Sequence, residues 1–261
     1  MSIAIPDLFE QDKSEKGCMD RVVGAIDGLF VKVVAPSTTE CLDQLSYYSG
    51  AEKGYGINVQ AIATASYRFS CVTVLHPGGT NDFSAYFRSS LPDSTAKLPS
   101  GFHIVGDAAY PLSEKLLTPY AGKGLAEEYD VFNFHLSQLR IKVEQSFGIL
   151  VQTWGILWKP IRLRHAGRAD IITSLFRLHN FLRDEMMELV RLDEEDTRSQ
   201  ALRPSLGNDS RLPPGFKALT SSTGNTRGGE TPTREALRKS MATLGLERPP
   251  HNIARNSMIE L

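Results

Sequence analysis

The sequence predicts an α/β protein, a mixed sheet flanked by helices, on three observations. Strand-like runs rich in Val and Ile crowd the first third of the chain, two long amphipathic helical patterns follow, and the last third dissolves into Pro, Gly, Ser and charge. Of the 261 residues, 41% are hydrophobic and 23% charged, enough apolar material for a sizeable core. The net charge of −1 excludes a globally basic nucleic-acid binder, so any basic surface must be local. Cys18, Cys41 and Cys71 are odd in number and lack CxxC spacing, which argues against a disulfide framework and a zinc site. The N-terminus has no basic segment followed by an apolar run, and no later run approaches a membrane span, so neither secretion nor membrane insertion is expected.

The elements follow in order. Residues 1 to 19 form a short polar segment, too small for a helical DNA-binding module. "RVVGAIDGLFVKVV", "GYGINVQAIATA" and "YRFSCVTVLH" read as three adjacent antiparallel strands. "HPGGTNDFSAYFRSSL" opens as a turn and continues as a short helix, with Thr80, Asn81 or Asp82 as its cap. "GFHIVGDAAYP" is a fourth strand that breaks at Gly106-Asp107, and "LSEKLLTPY" reads as a short helix stopped by Pro119. A long helix is predicted from Phe132, Leu136, Leu139, Val143, Phe147, Leu150 and Trp154, and another from Ile171, Leu175, Leu178, Leu182 and Met186. The expected division is a domain over 20–192 and a largely disordered tail over 193–261, with a brief helix near "REALRKSMATLG".

Asp27 stands in the middle of the most apolar run of the chain. A buried carboxylate needs a turn, a counter-ion or a metal to satisfy it. Asp27-Gly28 has the composition of a type I′ hairpin turn; alternatively the strand runs on through Asp27 and presents the acid to a metal. A helix packed on the sheet could bring Glu144 to the edge where Asp27 and Asp107 converge, and three such carboxylates can hold Mg²⁺ or Mn²⁺ for phosphodiester cleavage.

Taken together, "GAIDG", "YGINVQAIA", "PGGTND", "GDAAYPL", "LLTPY", "NFHLSQLRIKVEQSFGIL" and "LFRLHNFLRDE" resemble, in order, the successive blocks of Harbinger-type transposases and their domesticated nucleases in the DDE superfamily. The resemblance spans about residues 20 to 190 and implies an RNase H-like fold. It also implies that Asp27, Asp107 and Glu144 form a metal-binding catalytic triad, and 36 residues lie between the second and third acids, which suits the family pattern. On it, Asp27 is read as a ligand within a strand, and the chemistry as two-metal DNA cleavage with Mg²⁺ or Mn²⁺ by a nuclear enzyme.

Asp107 alone could end a strand in a turn, and Glu144 could simply pair with Arg140. Asp82 is read first as a helix cap and second as an acid supporting the metals. Gly148, a costly residue inside a helix, leaves space for metal or DNA backbone, or serves close packing. His179 is read as a core or neighbouring histidine, and His103 and His135 show no metal spacing. Arg140, Lys142, Lys159, Arg162, Arg164 and Arg168 against a single acid suggest a DNA phosphate track, with Lys53 adding a basic residue. Relatives carry a long N-terminal DNA-binding region before the first acid and often an acid after the "QA" strand, where this chain has Thr64 and Ser66. The expectation is a catalytic domain whose targeting comes from a partner protein or a homo-oligomer. The competing reading is a domesticated, inactive protein that keeps the fold to bind DNA or protein.

Overall fold

The computed structural model describes Met19, 21–195 and 229–249, with the backbone alone for 188–195. Strand β1 (Val22–Lys32) runs unbroken through Asp27, so the hairpin alternative does not form. It pairs antiparallel with β3 (Gly54–Ala63) and parallel with β5 (His103–Val105), and is the central strand of the site. β4 (Phe69–Pro77) is antiparallel to β3, as predicted. Two short strands were not anticipated: β2 (Tyr48–Ser49), paired with β3, and β6 (Leu116–Leu117), parallel to β5. The latter corrects the helix expected around "LSEKLLTPY". Backbone bonds from Ile104 N to Lys115 O and from Gly106 N to Leu117 O draw this segment onto the sheet edge, and two fully buried leucines suffice to hold it there.

Alternation along β1 assigns its two faces. Ala25, Leu29 and Val31 join a core built with α3 (Glu127–Thr153) and α4 (His165–Glu195). Ile26 faces the other way, into a smaller cluster with Tyr86 of α1 (Asp82–Phe87), Leu91 of α2 (Leu91–Ala96) and Tyr110. Because both faces are covered, β1 tolerates the continuous apolar run that makes Asp27 conspicuous.

Helix α3 buries Phe132, Leu136, Leu139, Val143, Phe147 and Leu150 as their spacing predicts; Trp154 caps its C-terminus against the same core. Helix α4 is turned relative to expectation. Ile172, Leu175, Phe176 and His179 are buried, whereas Leu178 and Leu182 are exposed. Polar anchors choose this phase: Asn180 clasps Phe69 of β4 through two 2.8 Å bonds, from its Nδ2 to the carbonyl and from the Phe69 N–H to its Oδ1, and His179 Nε2 meets Tyr67 O at 2.8 Å. Phe69 then packs edge-on to Phe176 at 4.6 Å and stacks on Phe147 at 5.5 Å.

Helix α5 (Pro232–Thr243) forms where the brief helix was expected, capped by Thr231 and docked on α3. Arg234 lies 3.9 Å over the Tyr120 ring, Arg238 pairs with Glu128 and Glu235, and Met241 enters the core. Within the stretch expected to lack order, 229–249 is therefore packed structure; 196–228 and 250–261 lie outside the described residues, as does Cys18.

Truncating the Asn180 clasp leaves a paired β4 amide and carbonyl unsatisfied. Asn180→Ala is expected to cost about 1–3 kcal/mol in chemical denaturation; a loss below about 0.5 kcal/mol would show that the clasp does not set the helix phase.

Candidate metal and nuclease site

Parallel pairing of β1 with β5 sets Ala25 beside Val105, and two residues further along each chain stand Asp27 and Asp107. The register of the sheet, not any local motif, therefore makes them neighbours. Asp27 is 1% exposed and accepts a bond from the Gly28 N–H at 2.9 Å. Asp107 is 8% exposed, and its Oδ1 accepts the Ala109 N–H at 2.8 Å in a turn that ends β5. Gly106 allows that turn to close: a Cβ there would lie 2.9 Å from Ile26 Cγ2 and 3.0 Å from the Tyr110 ring.

Burial raises the pKa of both carboxyls, Asp27 well above its ordinary value, and Arg140 on α3 is the chief opposing influence on each. Asp107 pushes Asp27 further up. Two like charges removed from water are thus held together beside one guanidinium, a strongly cation-seeking arrangement.

Glu144 stands apart from this pair. Its side chain is 43% exposed, and its Oε1 lies 3.9 Å from Arg140 Nη2, one helical turn back. Among the described residues, no group of three His, Cys, Asp or Glu side chains is gathered as a ready metal site. The structure therefore sets Asp27 and Asp107 near one another through the sheet register, while Glu144 meets Arg140, whose charge acts on both. Gly148 is buried on the same helix, one turn beyond Glu144.

Asp82 does not cap α1, which corrects the first reading of this residue. Asn81 does, accepting the Ser84 N–H at 2.8 Å, because its extended backbone places its side chain over the first turn. Asp82, at the first helical position, turns inward, where its Oδ1 accepts from Gln60 Nε2 at 2.7 Å and Asn58 Nδ2 at 3.2 Å. Tyr110 donates to Gln60 Oε1 at 2.5 Å, so a buried polar relay ties the Asp107 turn to α1. Gln60 and Gly28 are register partners, and Gly28 has no side chain to occupy the space beside the amide. Sequence reasoning missed Asn58, Gln60 and Tyr110. The available signal was "INVQ", which sets two amides at alternate positions of a strand buried on both faces.

The basic residues divide. Arg140 is mostly buried and faces the acids, its charge acting on both Asp27 and Asp107. Lys142 Nζ donates to the Tyr67 hydroxyl at 3.1 Å and lies 4.7 Å from the ring centre. Arg168 is 2% exposed and donates to Leu163 O at 2.9 Å, so it secures the loop before α4 from inside rather than meeting a phosphate. Its placement on the first turn of a core-facing helix explains this. Lys159, Arg162 and Arg164 are exposed around that loop, and Lys53 is exposed in a left-handed turn with φ 49°. His179 is a core residue, its pKa lowered by burial to about 4, and therefore neutral. Thr64 and Ser66 bond each other at 2.9 Å. Among the described residues, no helix is long and apolar enough to cross a membrane.

Burial also raises Asp82, to about 6, against the bonds from Asn58 and Gln60. The folded state then holds this proton more tightly than the unfolded chain, so stability falls as pH rises from about 4 to about 6. Asp82→Asn is expected to flatten that slope and to match or exceed wild-type stability at pH 7, by up to about 3 kcal/mol. Denaturant titrations at pH 4, 5, 6 and 7 check this; identical slopes in both proteins would contradict it.

Two comparisons bear on this geometry. The DDE superfamily endonuclease domain matches residues 26–180, more than half of the chain and a stretch that contains all four acids. Protein ALP1-like of Arabidopsis thaliana is 29% identical over 199 residues, which cover 68% of this chain and 46% of that protein. The chain thus spans about half the length of the curated relative it matches. No solved structure matches it. The mixed sheet with its flanking helices has the RNase H-like architecture, and the chain belongs to the DDE superfamily endonucleases.

Proposed function

We propose that this chain is a divalent-metal-dependent endonuclease that cleaves DNA phosphodiester bonds, with Asp27, Asp107 and Glu144 as its catalytic carboxylates. The observation that carries the reading is the buried Asp27–Asp107 pair, one in β1 and one just beyond β5, with burial raising the pKa of both and Asp107 raising that of Asp27 further. The donor set fits Mg²⁺ or Mn²⁺: it is all oxygen, anionic, and free of sulfur or imidazole. Asp27 and Asp107 would hold the ions, two in number, and Glu144 would complete the set from α3. Bound there, they would supply Lewis acidity that lowers the pKa of the attacking water and takes up charge on the leaving 3′ oxygen.

The protein's own contribution is positional. β1 and the turn after β5 hold two buried carboxylates at the middle of the sheet, the Tyr110–Gln60–Asp82 relay braces that turn, and Gly106 keeps it tight. Exposed Lys53, Arg162 and Arg164 provide phosphate contacts outside the acid pair. Target choice would come from a DNA-binding partner or from a second copy, and the site of action would be the nucleus.

One observation favours a second reading, a non-catalytic protein that retains the fold to bind DNA or protein. Glu144 is half exposed and engaged with Arg140 rather than with the Asp pair.

Supercoiled-plasmid nicking in Mn²⁺ separates the two. Wild type should nick, and Asp107→Ala should lose at least about a hundredfold. Equal silence from both folded proteins would favour the binding protein. Metal-free Asp27→Asn should be more stable than wild type by about 1–2 kcal/mol, since a desolvated charge is removed. It should also lose the rise in melting temperature that Mn²⁺ gives wild type. An unchanged Mn²⁺ response in this variant would remove Asp27 from the site.

A further inference from the structure

Arg140 has an unusual set of surroundings. Its side chain is 18% exposed, it lies beside Asp27 and Asp107, and its terminal nitrogen approaches Glu144 at 3.9 Å. Its Nε is buried and, among the described residues, has no hydrogen-bond partner. A guanidinium presents five donors in a fixed fork and remains charged at any physiological pH. The arrangement suits a group that waits for an additional acceptor.

We propose that Arg140 is an internal counter-ion that occupies the acid site in the metal-free protein and passes to a substrate phosphate when the site is loaded. The inference rests on the metal-dependent reading above and deepens it. The positive charge of Arg140 partly neutralises Asp27 and Asp107, and its terminal nitrogen also lies 3.9 Å from Glu144, so one residue faces all three acids. A divalent ion entering the pair meets this charge as a competitor. Like charges a few ångströms apart in a partly desolvated site repel strongly, so Arg140 weakens metal binding in the absence of substrate. Once the carboxylates are otherwise neutralised, Arg140 is released with its unmet Nε–H and planar fork, which match two oxygens of a phosphodiester. The site would then load tightly only when nucleic acid supplies the phosphate that Arg140 takes up. Metal and DNA binding would be mutually reinforcing.

The test measures Mn²⁺ binding by calorimetry in wild type, Arg140→Gln, Arg140→Met and Arg140→Lys, without DNA and with a short duplex made uncleavable by methylene in place of each bridging 3′ oxygen, which keeps both non-bridging phosphate oxygens. Arg140→Met preserves the apolar stem and serves as the neutral variant where Arg140→Gln fails to fold. The neutral variants should bind Mn²⁺ about tenfold more tightly than wild type while nicking at least tenfold more slowly, and Arg140→Lys should bind close to wild type. The duplex should strengthen Mn²⁺ binding to wild type and leave the neutral variants unchanged. Structural damage alone would weaken binding and activity together, so opposite signs identify the counter-ion role. Mn²⁺ binding to wild type with no gain in the neutral variants would overturn this inference and leave the metal reading intact. No binding by any of the four proteins would overturn both.

Discussion

Everything at the site depends on two carboxylates forced out of water by the sheet that carries them. Asp27 and Asp107 lie in or just beyond strands that pair in parallel, and burial, not hydrogen bonding, dominates their electrostatics. Backbone N–H groups of Gly28 and Ala109 each satisfy one carboxylate oxygen, and Arg140 supplies the positive charge. Such a pair is a poor stabilising device, since apolar residues of similar size would serve the core better. Its presence in the centre of β1 is intelligible on the proposed cation-binding reading.

The rest of the fold can be understood as support for that pair. On one face, α3 brings Arg140 and Glu144 on successive turns while Val143 and Phe147, beside them, enter the core. On the other, Asp82, Gln60, Asn58 and Tyr110 form a buried hydrogen-bonded relay that ties the start of α1 to the turn after β5. A buried network whose members satisfy one another rigidifies its surroundings. The acids therefore sit between a charged helix face and a hydrogen-bonded polar brace, and the Asp107 turn is tied to that brace through Tyr110. Helix α5, anchored by arginines over Tyr120 and Tyr129, consolidates the opposite half of α3 and leaves the Arg140–Glu144 turns to the site.

Much of this was legible in the sequence where pattern and physics coincide. The run around Asp27, the break at Gly106-Asp107 and the period of α3 located the strands, the second acid and the helix that faces them. Elements fixed by long-range pairing were not legible. Leu116–Leu117 becomes a strand because β5 offers an edge, and α4 takes its phase from Asn180 and His179 meeting the 67–69 backbone rather than from Leu178 and Leu182. Charge counting likewise could not tell an exposed arginine from a buried one: Arg162 and Arg164 reach solvent, while Arg168 turns inward and Arg140 faces the acids. Asp82 was recognised as an acid of interest, yet its partners were invisible until β3 and α1 were brought together.

The central claim is that Asp27 and Asp107 constitute a cation site, and the most direct measurement is a ¹³C NMR titration of the aspartate side-chain carboxyls with and without Mg²⁺. Metal ligation competes with protons for carboxylate oxygens, so both groups should titrate above the ordinary aspartate range in metal-free protein and shift to lower pH when Mg²⁺ is added. Titration curves for Asp27 and Asp107 that are the same with and without Mg²⁺ would contradict the account.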